Sequence, residues 1–107
     1  MITHCKMENI MNYGDMVNQL ARLFEKFVVS KTNARAQMLP EVLRQIDALK
    51  ITIRRRPAYA CPLERCVSLT GEVKAMALLR KPPDYDDAWH THFAHQDIYL
   101  LENEFGD

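Results

Sequence analysis

The stretch from Asp15 to Ser30, DMVNQLARLFEKFVVS, decides the fold class of this chain. At the 100° per residue of an α-helix, its apolar side chains fall within one arc of about 160°, opposite its polar side chains. The apolar arc contains Met16, Val17, Leu20, Ala21, Leu23, Phe24, Phe27 and Val28. Asp15 can accept backbone N–H groups at a helix start, so the pattern predicts an amphipathic helix over residues 15–30.

A second helix is predicted after a polar linker at 31–33. It is expected to start near Pro40, because proline is tolerated in a first helical turn. Residues at helical spacing on its apolar side are Leu39, Val42, Leu43, Ile46, Leu49 and Ile53. The segment Leu49–Ile53 also alternates like a strand, but it continues the helical pattern and is interpreted as helix. Arg54–Arg56 ends this helix, and residues 57–62, PAYACP, predict a loop.

Two more helices follow from the proline positions. Pro62 can open a third helix, in which Gly71 predicts either a bend or two shorter helices. A fourth helix is expected to start at Asp84, in an acidic first turn that suits the positive end of the helix dipole. Its expected apolar side contains Tyr85, Trp89, Phe93, Ile98, Leu101 and Phe105. Only three glycines occur, too few for the tight turns of a sheet, so we predict an all-α fold, a small bundle of about four helices.

Length and composition indicate one helical domain over residues 1–107, with residues 1–14 expected to form a flexible N-terminal segment. A hydrophobic content of 48% and a formal net charge of zero are typical of globular proteins. The sequence has no apolar run of about 18 residues, so no membrane span is predicted. Residues 1–12 lack the apolar segment of a secretory signal. Three cysteines, an odd number, fit a reducing cytoplasm better than a disulfide framework.

The zero net charge is the sum of a basic segment and an acidic segment of equal and opposite charge. Residues 1–83 contain fourteen basic and seven acidic side chains, a net charge of +7. Residues 84–107 contain seven acidic side chains and no lysine or arginine, a net charge of −7. The acidic segment is expected to fold over a basic surface of its own chain, or alternatively to meet a basic face of a second subunit or partner.

The first helix is the strongest candidate for an interaction surface. A surface helix usually has an apolar stripe of about 100°, and this one is wider. One interpretation places the helix at the centre of the bundle. The other gives half of the stripe to a second protein, with contacts from Met16, Leu20, Leu23, Phe24, Phe27 and Val28. A homodimer is then expected, since two-fold assemblies are the most frequent.

Motifs for chemistry are weak. His90, His92 and His95 lie close together in the sequence, and a metal-binding sensor using them is one alternative function. The spacing of Cys61 and Cys66 is wider than that of paired zinc ligands, so we predict no metal site and no cofactor. Cys66 lies on the apolar side of the third helix and is expected to be a buried, inert thiol. No activated nucleophile or phosphate-binding loop is present, so we predict no catalytic residues and no enzyme activity.

Arg54, Arg55 and Arg56 form a basic cluster that can contact phosphates. A small nucleic-acid-binding repressor that uses them is a further alternative. Against it, the chain is neutral overall and has no helix-turn-helix glycine signature, whereas nucleic-acid-binding domains are usually basic.

The chain resembles the small all-helical antiactivators of bacterial quorum sensing. The resemblance rests on the apolar first helix Asp15–Ser30, on the second helix from Pro40, and on the sequence DYDDAW at Asp84–Trp89. It implies a non-enzymatic cytoplasmic regulator whose protein partner is a LuxR-type transcriptional activator. Such a regulator would bind the activator directly and block its dimerisation or its DNA binding.

Overall fold

A computed structural model describes residues 12–56, 60–78 and 88–103. In these ranges the chain forms four α-helices and no strand: α1 Tyr13–Val29, α2 Thr32–Ile53, α3 Ala60–Leu78 and α4 Ala88–Asn103. The predicted all-α bundle of about four helices is therefore confirmed. No described helix has the length and apolar character needed to cross a lipid bilayer.

The four helices form a closed ring in which each helix packs against two others. α1 contacts α2 and α4, and α3 also contacts α2 and α4. Neighbouring helices are antiparallel: Thr52, at the end of α2, donates to the Met16 sulfur near the start of α1 over 3.4 Å. Tyr13, the first residue of α1, reaches Leu101 near the end of α4. The chain thus runs up, down, up and down around one core.

Helix α1 starts two residues earlier than predicted. Its N-cap is Asn12, whose side-chain oxygen accepts the Asp15 backbone N–H over 2.7 Å, and Asp15 lies inside the first turn. An asparagine at this position satisfies one of the backbone donors that a helix start leaves unpaired. The expectation of a flexible segment is therefore wrong for residues 12–14, and residues 1–11 lie outside the described residues.

Helix α2 starts at Thr32, eight residues before Pro40, so the predicted start is wrong. Pro40 lies inside the helix on its exposed side. At such a position water can reach the backbone carbonyl that proline leaves without a donor, and packing of the buried side holds the helix together. The helical interpretation of Leu49–Ile53 is confirmed.

The two other helix starts also differ from the expectation or lie outside the described ranges. Helix α3 starts at Ala60, so the predicted loop is wrong for residues 60–62, while residues 57–59 are not described. It continues through Gly71 without interruption. The predicted start of the last helix at Asp84 lies outside the described residues, and α4 is described from Ala88 onward.

The core takes apolar side chains from all four helices. At the centre of α1, the rings of Phe24 and Phe27 stack with their centroids 6.0 Å apart. Other fully enclosed side chains of the described ranges include Tyr13, Val17, Leu20, Val42, Ile46, Leu49, Ile53, Leu69, Val73, Met76 and Leu101. Burying each such side chain contributes about 1.5–3 kcal/mol relative to leaving it in water, which makes this core the main stabilising element.

One guanidinium is buried where three helices meet. Arg35, in the first turn of α2, is only 8% exposed. Its Nε donates to the Phe27 carbonyl over 3.1 Å, its Nη2 to the Val28 carbonyl over 2.7 Å, and its Nη1 to the Met76 carbonyl over 3.5 Å. These carbonyls belong to the last turns of α1 and α3, where helices lack backbone donors and carry partial negative charge. Arg35 therefore joins α2 to the ends of both neighbours.

Replacing Arg35 by methionine is expected to lower the free energy of unfolding by about 2–4 kcal/mol, because the helix-end carbonyls lose a charged donor inside the protein. Arg35→Lys keeps the positive charge but not the planar guanidinium group. Its free energy of unfolding should lie between those of Arg35→Met and the wild type. Urea unfolding followed by circular dichroism measures the change.

Arg44→Met is the matched control, since Arg44 lies exposed on the same helix and pairs with Glu41. Its effect on the free energy of unfolding should be much smaller than that of Arg35→Met, because water screens an exposed ion pair. Equal losses in the two methionine variants would show that the buried guanidinium has no special role.

Candidate protein-binding surface

The apolar face of α1 does not offer the partner surface that was predicted for it. Leu20, Phe24 and Phe27 have no exposed area within the single chain. Met16, Leu23 and Val28 are partly buried and pack against the same core. The interpretation of this face as a partner-binding site is therefore wrong for the three fully enclosed residues. The alternative, that neighbouring helices of the same chain cover the face, is the one that fits, although α1 is a member of the ring and not a central helix.

The breadth of the apolar arc has a physical reason inside the bundle. A helix in a closed ring packs against neighbours on two flanks, and here α1 lies between α2 and α4. Its buried face must therefore be wider than that of a helix packed against a single surface. Phe24, for example, also contacts the His95 ring of α4 edge to face, with centroids 5.1 Å apart.

The basic cluster lies at the end of α2, as expected, but its three side chains differ in their surroundings. Arg54 and Arg55 are exposed. Arg56 is half-buried, with its guanidinium 5.6 Å from the centroid of the Tyr13 ring. Such a cation–π contact ties Arg56 to the start of α1. Only Arg54 and Arg55 thus extend into solvent from the predicted cluster.

The three histidines of α4 point to different neighbours. His90 Nδ1 lies 2.7 Å from the Glu72 carboxylate on α3. His95 Nε2 lies 2.8 Å from the Glu25 carboxylate on α1. His92 is exposed and lies beside the Phe93 ring. In the described ranges no three histidine, cysteine, aspartate or glutamate side chains converge as a metal site would require, which argues against the metal-sensor alternative.

The thiols of α3 lie in opposite environments. Cys61 is exposed and Cys66 is buried, as predicted for Cys66. Burial raises the pKa of the Cys66 thiol to about 11, although Lys50 acts in the opposite direction. A thiol with this pKa is almost entirely protonated at neutral pH, and only a thiolate is a strong nucleophile. Cys66 is therefore a packing residue.

A buried carboxylate joins α3 to α4, and sequence analysis missed it. Asp97 is 4% exposed. Its Oδ2 accepts the Ser68 hydroxyl over 2.7 Å, and its Oδ1 lies 3.9 Å from Arg65 Nη1. Burial raises the pKa of Asp97, partly offset by the Ser68 hydrogen bond and by Arg65. Its position one residue before the apolar Ile98, on the buried side of the helix, was the available signal.

The exposed side of α4 is rich in aromatic residues. Trp89 is 69% exposed, Phe93 43% and Tyr99 63%. The Trp89 and Phe93 rings stack with centroids 5.9 Å apart, and the His92 ring lies 5.6 Å from that of Phe93. We name these four residues, Trp89, His92, Phe93 and Tyr99, the aromatic face of α4. Exposed apolar side chains that cluster often mark a binding surface, whereas single scattered ones are normal on any protein.

This arrangement corrects the expected orientation of the last helix. Trp89 and Phe93 were assigned to the apolar side together with Ile98, but the structure buries Ile98 and exposes both rings. Phe93 and Ile98 are about 140° apart on a helix, so they cannot share a narrow buried face. The buried side contains Ala94, Ile98 and Leu101 at helical spacing. That spacing was the signal that could have oriented the helix correctly.

One open depression of the described surface lies at the start of α1. It is found beside Arg56 and is lined by Asn12, Gly14, Asp15 and Asn18. It combines one carboxylate with one guanidinium, and no thiol or imidazole that could act as a nucleophile or base lines it. The two imidazole–carboxylate pairs of α4 each connect neighbouring helices. Their evident role is to hold α4 in place.

Comparison of the chain with protein-family models, curated proteins and solved structures found no match. The aromatic face of α4 is therefore assigned from its own geometry.

Replacing Asp97 by asparagine is expected to raise the thermal stability at pH 7 or leave it unchanged. The raised pKa means that folding favours the protonated carboxyl. The stability from this group is thus present below the pKa of the unfolded state and is lost as the pH rises through the folded pKa. Asparagine is uncharged at every pH and can still accept the Ser68 hydrogen bond, so the variant should lose this part of the pH dependence.

Melting temperatures between pH 4 and pH 7.5 test the prediction. Glu102→Gln is the control, because Glu102 is an exposed acid on the same helix. If Asp97→Asn is clearly less stable than the wild type at pH 7, the ionised carboxylate stabilises the fold and the interpretation is wrong.

Proposed function

We propose that the protein is a non-enzymatic cytoplasmic regulator that binds another protein, and that it acts as a homodimer. Its proposed partner is a LuxR-type transcriptional activator whose dimerisation or DNA binding it blocks, as the resemblance to quorum-sensing antiactivators implies. The single observation that carries the binding role is the aromatic face of α4, where Trp89 stacks on Phe93 in solvent.

The energetics of aromatic side chains support this role. Tryptophan and tyrosine are the residues that most often dominate the binding free energy of protein interfaces. Burying the exposed parts of Trp89 and Phe93 against a partner would contribute at most about 1.5–3 kcal/mol for each ring, and less for Phe93, before the costs of association. A partner of complementary chemistry would present an apolar groove that accepts the two stacked rings.

The attachment of α4 to the bundle favours binding without rearrangement. The helix is held to α3 through His90 and Glu72, and to α1 through His95 and Glu25. Tyr13 donates a hydrogen bond to the Leu101 carbonyl near the end of the same helix. A surface on a fixed helix loses little conformational entropy when it binds, which leaves more of the contact free energy for affinity.

The proposed mechanism is stoichiometric occlusion. The regulator covers the surface that the activator needs for its own dimerisation, and no covalent step occurs. Inhibition should therefore follow the ratio of regulator to activator and should reverse on dilution.

Truncating both rings, Trp89→Ala with Phe93→Ala, is expected to weaken binding to the ligand-binding domain of a LuxR-type activator by about 100-fold. Size-exclusion chromatography with light scattering should show the wild-type chain converting the activator dimer into a heterocomplex, and the double variant leaving it intact. Trp89 is 69% exposed and Phe93 43%, and neither belongs to the buried core, so the double variant should keep its fold and melt only slightly below the wild type.

Val29→Ala is the matched control, because Val29 is 82% exposed on α1, outside the aromatic face. It should form the heterocomplex as the wild type does. Retained binding by the double variant would refute the assigned surface. If the wild-type chain leaves the activator dimer unchanged but retards duplex DNA with a steep salt dependence that weakens in Arg55→Ala, the protein is a nucleic-acid-binding repressor instead.

A further inference from the structure

The solvent side of α3 has the pattern of a second packing face. Six exposed residues follow each other at steps of four and three: Ala60, Glu64, Val67, Gly71, Lys74 and Leu78. We name them the outer face of α3. Alternating steps of three and four place residues along the seam where two helices pack side by side. The buried side of α3 uses the same spacing against α2 and α4, so the helix has two such seams.

The apolar members of the outer face are strongly exposed. Val67 is 58% exposed and Leu78 is 61% exposed. An open depression lined by Gly71, Lys74, Ala75 and Leu78 lies along this face. Single exposed aliphatic side chains are normal, but here they share one line with two small residues, Ala60 and Gly71.

Gly71 has no role inside the fold that requires a glycine. A Cβ atom built at this position would meet nothing within 4 Å. In an exposed helix interior, glycine is less favourable than alanine. What glycine gives in return is room for another backbone or side chain to approach the helix closely. The open space over Gly71 is therefore suited to a contact from outside the chain.

The charges and sizes on the outer face complement each other when the helix meets itself in the antiparallel direction. With a two-fold axis at the level of residue 69, on the side of the helix opposite the buried Leu69 side chain, Val67 of one copy faces Gly71 of the other, and Glu64 faces Lys74. Ala60 then faces Leu78. Each large side chain meets a small residue, and each carboxylate meets an ammonium group. In a parallel pair, Glu64 would face Glu64 and two glycines would face each other, which is unfavourable in both charge and shape.

We propose that the outer face of α3 is a homodimer interface, in which a second copy packs its own α3 antiparallel across a two-fold axis at the level of residue 69. The occupant is a second copy because the face complements its own reversed sequence, as an isologous contact must. This assignment rests on the homodimer in the proposed function, but not on the identity of the activator or on the aromatic face of α4.

One helix pair makes a small interface, so the dimer should be in exchange with monomer. Interfaces below about 1,200 Å² are typical of weak complexes. Sedimentation velocity of the chain alone, at about 1 to 200 µM, should show the weight-average mass rising from monomer towards dimer.

Gly71→Gln separates dimerisation from folding, because the two should change in opposite directions. Glutamine has a higher helix propensity than glycine and meets nothing inside the chain, so the melting temperature at low concentration should rise. Its side chain fills the space needed by Val67 of the second copy, so the dimer should be lost over the whole concentration range. A Gly71→Gln protein that dimerises as the wild type does would overturn the assigned face while leaving a homodimer in place.

Charge reversal tests the antiparallel register. In Glu64→Lys, lysine faces Lys74 at two symmetric places, and the dissociation constant should rise about tenfold or more. Adding Lys74→Glu to the same chain restores opposite charges and should restore the dimer. Lys26→Glu, a reversal at an exposed position of α1, is the control and should have no effect.

The possible outcomes distinguish this inference from the proposed function. A dimer that is insensitive to Glu64→Lys, or that the double reversal fails to restore, would exclude the antiparallel register. A wild-type chain that stays monomeric at every concentration would overturn both the interface and the proposed homodimer. Because the chain is measured alone, none of these results depends on whether it binds an activator.

Discussion

The buried guanidinium of Arg35 is the contact on which the arrangement of the bundle depends. It donates to carbonyls in the last turns of α1 and α3 from the first turn of α2, and so fixes three helix ends at one point. A buried positive charge is costly unless donors and acceptors match, and the negative ends of two helix dipoles supply that match. At the opposite end of α1, a side chain again donates a hydrogen bond to a carbonyl in the last turn of a neighbouring helix, since Tyr13 donates to the Leu101 carbonyl of α4. Between these two ends the apolar core can pack in one register.

The ring of helices also determines which surfaces are available for function. Because each helix is flanked by two neighbours, the broad apolar arc of α1 is buried or packed against the core within the single chain. The exposed side chains on α3 and α4 are what the ring leaves outside, and they differ in kind. The aromatic face of α4 offers large rings suited to a different protein, whereas the outer face of α3 is small, nearly neutral and complementary to itself.

Sequence patterns predicted the helices well where apolar spacing is regular, and less well at their ends. The start of α2 was placed at Pro40 because proline suits a first turn, yet the helix already runs from Thr32. A proline on an exposed helix side costs less than the packing of the buried side gains, and that packing is a tertiary contribution. The orientation of α4 failed for a related reason: Trp89 and Phe93 were assigned to the apolar side with Ile98, but packing against α1 and α3 buries the side that contains Ala94, Ile98 and Leu101.

The sequence by itself determined the all-α class, the amphipathic character of α1, the burial of Cys66 and the position of the basic cluster at the end of α2. These features depend on residue type and on spacing within one segment. Only the tertiary structure decided that Phe24 and Phe27 are enclosed and that Asp97 and Arg35 lie inside. It also decided that His90 and His95 of α4 reach carboxylates on two different helices. The physical reason is that burial depends on which helices lie beside a residue, and those neighbours come from distant parts of the chain.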